Sequence, residues 1–153
     1  MSTVPLQVVT PDRVVLDMDI EMVSLRGGGG ELGILPRHTP LATTVKPGVI
    51  KVKLAEGEDF LSVSDGFIQV MPDRITLLVE SAEIGSFLDL DRVNLAKDRA
   101  EKRLVEHSDE IAVERAKAAL ERANHRLEAA EAALKHGEVI KHKFEGKSKD
   151  DDQ

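Results

Sequence analysis

Leu16-Asp17-Met18-Asp19-Ile20-Glu21-Met22 alternates apolar and acidic residues without a fault. Successive side chains of a strand point to opposite faces, so this stretch predicts Leu16, Met18, Ile20 and Met22 on one face and three carboxylates on the other. Ile50-Lys51-Val52-Lys53-Leu54 repeats the pattern with its lysines outward. Val63, residues 67–70 and residues 75–79 supply further β-branched and aromatic runs. Pro11-Asp12, Pro47-Gly48, Glu56-Gly57, Asp65-Gly66 and Pro72-Asp73 punctuate them, each able to set a turn through a fixed proline φ or a permissive glycine. Short strands at this spacing predict an antiparallel sandwich or barrel over residues 1–85.

Beyond Ser86 the period changes. Leu88 to Leu134 contains no proline or glycine and is rich in Ala, Glu, Arg, Lys and Leu. Ser86, with Asp89 three residues on, predicts a helix start, and His107-Ser108-Asp109 a break with Ser108 or Asp109 capping a second helix. Val113, Ala116, Leu120, Ala123, Leu127, Ala130 and Leu134 recur at steps of three and four, a narrow seam whose alanines allow close approach. An antiparallel hairpin over 86–134 is expected. Residues 135–153 are charged and nearly patternless, and a frayed, disordered tail is expected there.

With 153 residues the chain fits one domain, or one with an appendage. It has no run of about 18 apolar residues and no leader pattern, so a soluble chain with no membrane contact of its own is expected. No cysteine is present, which excludes disulfides, thiolate zinc sites and cysteine nucleophiles. A formal charge of −7 and the lack of Tyr and Trp speak against nucleic acid. The histidines at 38, 107, 125, 136 and 142 have no metal-ligand spacing, and nothing resembles a nucleophile elbow. The sequence therefore offers no catalytic residue, no metal site and no required cofactor.

Two motifs need weighing. Gly28-Gly29-Gly30-Glu31-Leu32-Gly33 matches the dinucleotide fingerprint in letters, but Pro36 would fall in the first turns of the helix that motif opens, so it is a decoy. Arg92, Arg99 and Arg103 stand at i, i+7 and i+11, and Arg115, Arg122 and Arg126 repeat the spacing. Each set shares a narrow sector of its helix at roughly 100° per residue. Spacing alone allows a solvated face balanced by Asp89, Asp98, Glu101, Glu114 and Glu121, a two-sided grip on a phosphate chain, or docking onto an acidic partner.

The run Gly30 to Leu41 (Gly-Glu-Leu-Gly-Ile-Leu-Pro-Arg-His-Thr-Pro-Leu) resembles the signature loop of the epsilon subunit of bacterial F-type ATP synthases. The resemblance continues through Lys46-Pro47-Gly48, Ser64-Asp65-Gly66-Phe67 and Pro72-Asp73, then Asp98 to Leu104 and Ala123 to Leu127, covering residues 4–134 in order. It implies a β + α fold: a β-sandwich of about ten strands, bound to the gamma stalk and the rotor ring of c subunits, followed by two helices. In bacterial members those helices fold on the sandwich or extend toward the catalytic alpha and beta subunits, where they block hydrolysis. Some members bind ATP in the compact form, as a regulatory ligand. The location implied is the cytoplasmic face of the bacterial cell membrane, peripheral, with membrane contact only through the complex.

Their nucleotide motif is I/L-D-x-x-R-A, and here it reads Leu88-Asp89-Leu90-Asp91-Arg92-Val93. The resemblance assigns Glu83, Leu88, Asp89, Arg92, Arg99, Arg122 and Arg126 to the nucleotide. It assigns Arg115, Arg122 and Arg126 to inhibitory contacts with the catalytic head, and Glu31 and His38 to the rotor and stalk. Two departures stand out: Val93 adds two methyls where the motif has alanine, and Arg37 replaces a frequent glycine. The remaining expectations, from other classes, are a stand-alone ATP sensor and a coiled-coil adaptor pairing through the 113–134 seam.

Overall fold

In the computed structural model, which describes residues 2–106 and 109–144, the chain opens with β1 (Val4–Val9) and then divides the alternating stretch between two strands. These are β2 (Val14–Ile20) and β3 (Met22–Gly27), separated by a bend at Glu21. The bend shifts the phase by one residue. Leu16 and Ile20 face the core before it, Val23 and Leu25 after it, and Met22 is only half-buried. A one-residue slip exchanges the two faces of a strand, which is why Met22 departs from its expected side.

The remaining strands are β4 (Gly30–Ile34), β5 (Leu41–Val45), β6 (Gly48–Leu54), β7 (Gly57–Val63), β8 (Gly66–Met71), β9 (Arg74–Val79) and β10 (Ala82–Ile84). All five expected turns fall between strands. Strand order is β10-β7-β6-β3-β5-β8-β9-β1-β2, with β4 paired to β3. Of the nine strand pairings, eight are antiparallel as expected and one is a correction: β1 runs parallel to β9, Leu6–Val9 against Ile75–Leu78. The ladder folds over a core of Leu6, Val8, Ile20, Val52, Leu61, Ile68 and their neighbours, all nearly inaccessible to water. Gly28 and Gly29 form the tip of the β3–β4 hairpin, where Gly27 pairs with Gly30. No helix opens there.

A 3-10 turn, Gly85–Phe87, leads to α1 (Leu90–Glu106) and α2 (Glu110–Lys135). The cap of α1 is Asp89 and not Ser86. Asp89 Oδ1 accepts from the amides of Asp91 (2.9 Å) and Arg92 (3.4 Å), while Ser86 is buried inside the 3-10 turn. Extended backbone at Leu88 ends that turn and brings Asp89 to the first free amides. Asp109 caps α2 by accepting from Ile111 (3.2 Å); His107 and Ser108 lie outside the described residues.

α2 has two buried faces. Ala116, Ala123 and Ala130, from the expected seam, are buried on the face that meets Val93 and Ala100 of α1. Ala129 and Ala133, outside that seam, are buried where α2 lies on β7 and the 3-10 turn. The seam is thus occupied within the chain, and Leu134 at its end is exposed.

The expectation of a patternless tail fails for residues 136–144. Gly137 (φ +91) follows the C-cap His136, its amide donates to Leu134, and the amide of Glu138 donates to Ala133 (2.8 Å). This pair of bonds reverses the chain. Residues 139–144 are helical, with Val139 and Ile140 inserted into the sandwich core. Two adjacent apolar residues in a charged context are too few to show a period. Residues 145–153, with their three aspartates, lie outside the described residues.

Candidate functional site

The helical hairpin and the sandwich meet along β7, β10 and the 3-10 turn, and three of the expected site residues lie at that seam. A cleft of about 190 Å3 opens between α2 and the β7–β10 edge, and Glu83, Arg122 and Arg126 line it. Glu83 is placed by β10, and the two arginines by one turn of α2. Arg126 Nε stands 2.9 Å from Glu83 Oε1, with both side chains about one-third exposed. The Nε–H is not aimed at the carboxylate, so the contact is an ion pair without a directed hydrogen bond. Ion pairs at such exposure contribute up to about 1 kcal/mol.

The other expected nucleotide residues lie elsewhere. Leu88 borders a separate groove with Arg13, Phe87 and Phe144, which Glu83 also reaches. Asp89 has its carboxylate on the α1 cap. Arg92 and Arg99 are exposed on α1, and Arg99 borders a groove with Leu95, Asp98 and Lys102. Arg115 is exposed on α2. Among the described residues, Arg92, Arg99, Arg115 and Arg122 carry no ion pair. Arg92, Arg99, Arg115 and Arg122 each stand one position before a buried residue of their helix (Val93, Ala100, Ala116 and Ala123), so a turn of about 100° carries them out to water. The structure brings together three of the seven nucleotide candidates.

Sequence reading passed over His125, which lines both this cleft and a groove of about 600 Å3 between α2 and the β3–β4–β6 surface. Its spacing from Arg122 (i, i+3) was the available signal. Glu31 borders the larger groove with Ser24, Lys46 and Lys51, while His38 sits in the following loop with Nδ1 2.7 Å from the carbonyl of Thr39. Glu121 and Asp65 also line the smaller cleft, so carboxylates outnumber its two arginines. Its volume falls below the roughly 300–1,000 Å3 of ordinary ligand pockets. A nucleotide would therefore have to break the Glu83–Arg126 pair and widen the seam.

Among the described residues no group of His, Asp and Glu could hold a metal ion, and no helix is long and apolar enough to cross a membrane.

Residues 3–85 match the family model of the ATP synthase delta/epsilon chain beta-sandwich domain, and residues 88–135 that of its long alpha-helix domain. An ATP synthase epsilon chain of Bacillus velezensis is 45% identical over 130 residues, 85% of this chain and 98% of that one. One of Halalkalibacterium halodurans is 45% identical over 131 residues (85% and 98%), and one of Staphylococcus aureus 40% over 132 residues (86% and 98%). The chain belongs to the ATP synthase delta/epsilon family.

A chain of the Euglena gracilis mitochondrial ATP synthase superposes with a TM-score of 0.67 at 24% identity, covering 86% of this chain and 81% of that one. One of the Tetrahymena thermophila enzyme gives 0.55 at 15%, covering 84% and 97%. These two show the shared fold. Within the family frame, Val93 is fully buried between the helices, so its extra methyls are packed against α2 and do not line the cleft.

Proposed function

We propose that this chain is a non-catalytic rotor subunit of an F-type ATP synthase on the cytoplasmic face of the bacterial membrane. Its sandwich couples the gamma stalk to the ring of c subunits, with Glu31 and His38 at that interface. Its hairpin restrains ATP hydrolysis when it leaves the sandwich and reaches the alpha and beta subunits through Arg115, Arg122 and Arg126. ATP is a regulatory ligand that favours the folded-down hairpin, held by Glu83, Leu88, Asp89, Arg92, Arg99, Arg122 and Arg126.

The observation that supports this most is the way α2 rests on the sandwich. Its buried residues there are Ala129, whose carbonyl lies against Gly85, and Ala133, with the Glu83–Arg126 pair at the side. Small side chains bury little area each, so such a face separates at lower cost than a core of leucines. In the compact form Arg115 and Arg122 are exposed and ready for an acidic surface.

The test is the assembled enzyme carrying this chain cut after residue 85. Hydrolysis rises while coupled synthesis persists, because the brake is gone and the coupling body stays. Unchanged hydrolysis rejects the brake, and failure of the sandwich to copurify with gamma, when circular dichroism shows it folded without the core residues Val139 and Ile140, rejects the coupling role.

A further inference from the structure

Both family matches end by residue 135, and the folded segment 136–144 lies beyond them. We propose that this segment is a strap: it ties the C-terminal end of α2 back onto the sandwich and holds the hairpin in its folded-down position.

Four features carry the inference. The reversal at Gly137 points the chain away from the axis of α2 and onto the β6–β7 turn. Val139 and Ile140 then enter the sandwich core, Ile140 with no exposed surface. Gly57 makes room for this, since a Cβ there would stand 3.1 Å from Val139 Cγ2. Finally, Asp59 is a completely buried carboxylate in the middle of β7, where a strand has no use for a charge. Its Oδ2 accepts from the amide of Ile140 (2.9 Å) and its Oδ1 from that of Phe60 (2.7 Å). Buried carboxylates persist only where donors satisfy them. Asp59 thus has the strap as one of its two partners.

Contacts at the rim continue the attachment. His136 meets Phe60 at a tilt, 5.0 Å between ring centres, Phe144 meets Phe87 at 5.9 Å, and Lys143 Nζ donates to Glu56 Oε1 (3.4 Å). For α2 to leave the sandwich, the strap must come out with it. Two aliphatic side chains return to water and Asp59 loses a donor, so opening is disfavoured by roughly a hundredfold or more relative to a chain without the strap. In the assembled enzyme the strap keeps the hairpin's inhibition off, a consequence that rests on the proposed function; the strap itself does not.

Hydrogen exchange tests it on the free chain. In a variant ending at Lys135, amides from Ala116 to Ala123, about three turns from the cut, lose protection by roughly a hundredfold while those of β8 and β9 keep theirs. A full-length Gly137→Val variant must move the same amides in the same direction. A Cβ there meets nothing within 4 Å, so the substitution acts by opposing the left-handed backbone of the reversal. Unchanged α2 protection in both variants overturns the strap. The assembled enzyme separates the two readings: faster exchange with unaltered hydrolysis leaves the strap standing and rejects the brake, and faster exchange with stronger inhibition supports both.

Discussion

The sandwich and the hairpin bury their surfaces with different materials. The sandwich core is built from leucine, isoleucine and valine, many without exposed area. The two helices bury one valine and six alanines: Val93 and Ala100 on α1, and Ala116, Ala123, Ala129, Ala130 and Ala133 on α2. Burial stabilises at about 25 cal/mol per Å2, so area decides which part holds itself together. The sandwich is a body with its own core, and the hairpin is a layer that depends on where it is laid. A part that must move is drawn from the weakly buried end of a structure.

The largest expected effect tests the body. Leu61→Ala removes a side chain of β7 with no exposed area and costs about 2–5 kcal/mol in denaturant unfolding. The loss belongs to the sheet. If α2 amides lost protection while the sheet kept its stability, the two regions would not differ as their burial indicates.

Gly85→Ala tests the layer. An added Cβ would collide with the carbonyl of Ala129 on α2 and stand 2.9 Å from that of Phe60, both backbone atoms that cannot turn aside. Overpacking of this kind costs about 1–3 kcal/mol. The expected result is faster exchange along α2 with β8–β9 protection unchanged. A loss spread evenly over sheet and helices would show one cooperative unit instead of a body and a layer.

Arg126→Ala works on the seam between them. The loss in stability is at most about 1 kcal/mol, because the pair with Glu83 is partly exposed. ATP affinity, read by calorimetry on the free chain, falls about tenfold or more, since charge-assisted hydrogen bonds are worth about 1.5–3 kcal/mol. An unchanged affinity would remove Arg126 from the nucleotide site and leave it as a partner of Glu83 alone.

How much of this was legible depended on the length of each pattern. Alternation over five to seven residues located β2 and β6, and proline and glycine pairs located all five turns between strands. The bend at Glu21 was not legible, because a register shift leaves the letters alternating. From sequence the α1 cap fell to Ser86 and Asp89 to the nucleotide, and the structure gives the Asp89 carboxylate to the cap. Of the site, Arg122 and Arg126 were readable together because one helical turn joins them. Glu83 reaches Arg126 across some forty residues of chain, a pairing no local period encodes. The strap was missed for the same reason: Asp59 and Ile140 meet over a separation of 81 residues.

The smallest expected effect concerns a single backbone angle in the sandwich. Arg37 has φ +63, in the left-handed region that residues other than glycine seldom enter. Its amide donates to the carbonyl of Pro72 (3.2 Å), which ties the loop to the β8–β9 turn and keeps the angle from relaxing. A side chain there costs about 1–2 kcal/mol. Arg37→Gly relieves that cost but loosens the unfolded chain by about 0.5–1 kcal/mol, so the net gain is about 0.5–1 kcal/mol. For a chain of this size that raises the melting temperature by about 1–4 °C. Arg37→Val should move it the other way, because β-branching makes the same angle harder to hold. The gain must appear in sheet unfolding and leave α2 exchange untouched, since the loop lies within the sandwich. If Arg37→Gly instead lowered stability, the angle would be carrying interactions of the arginine side chain that outweigh its strain.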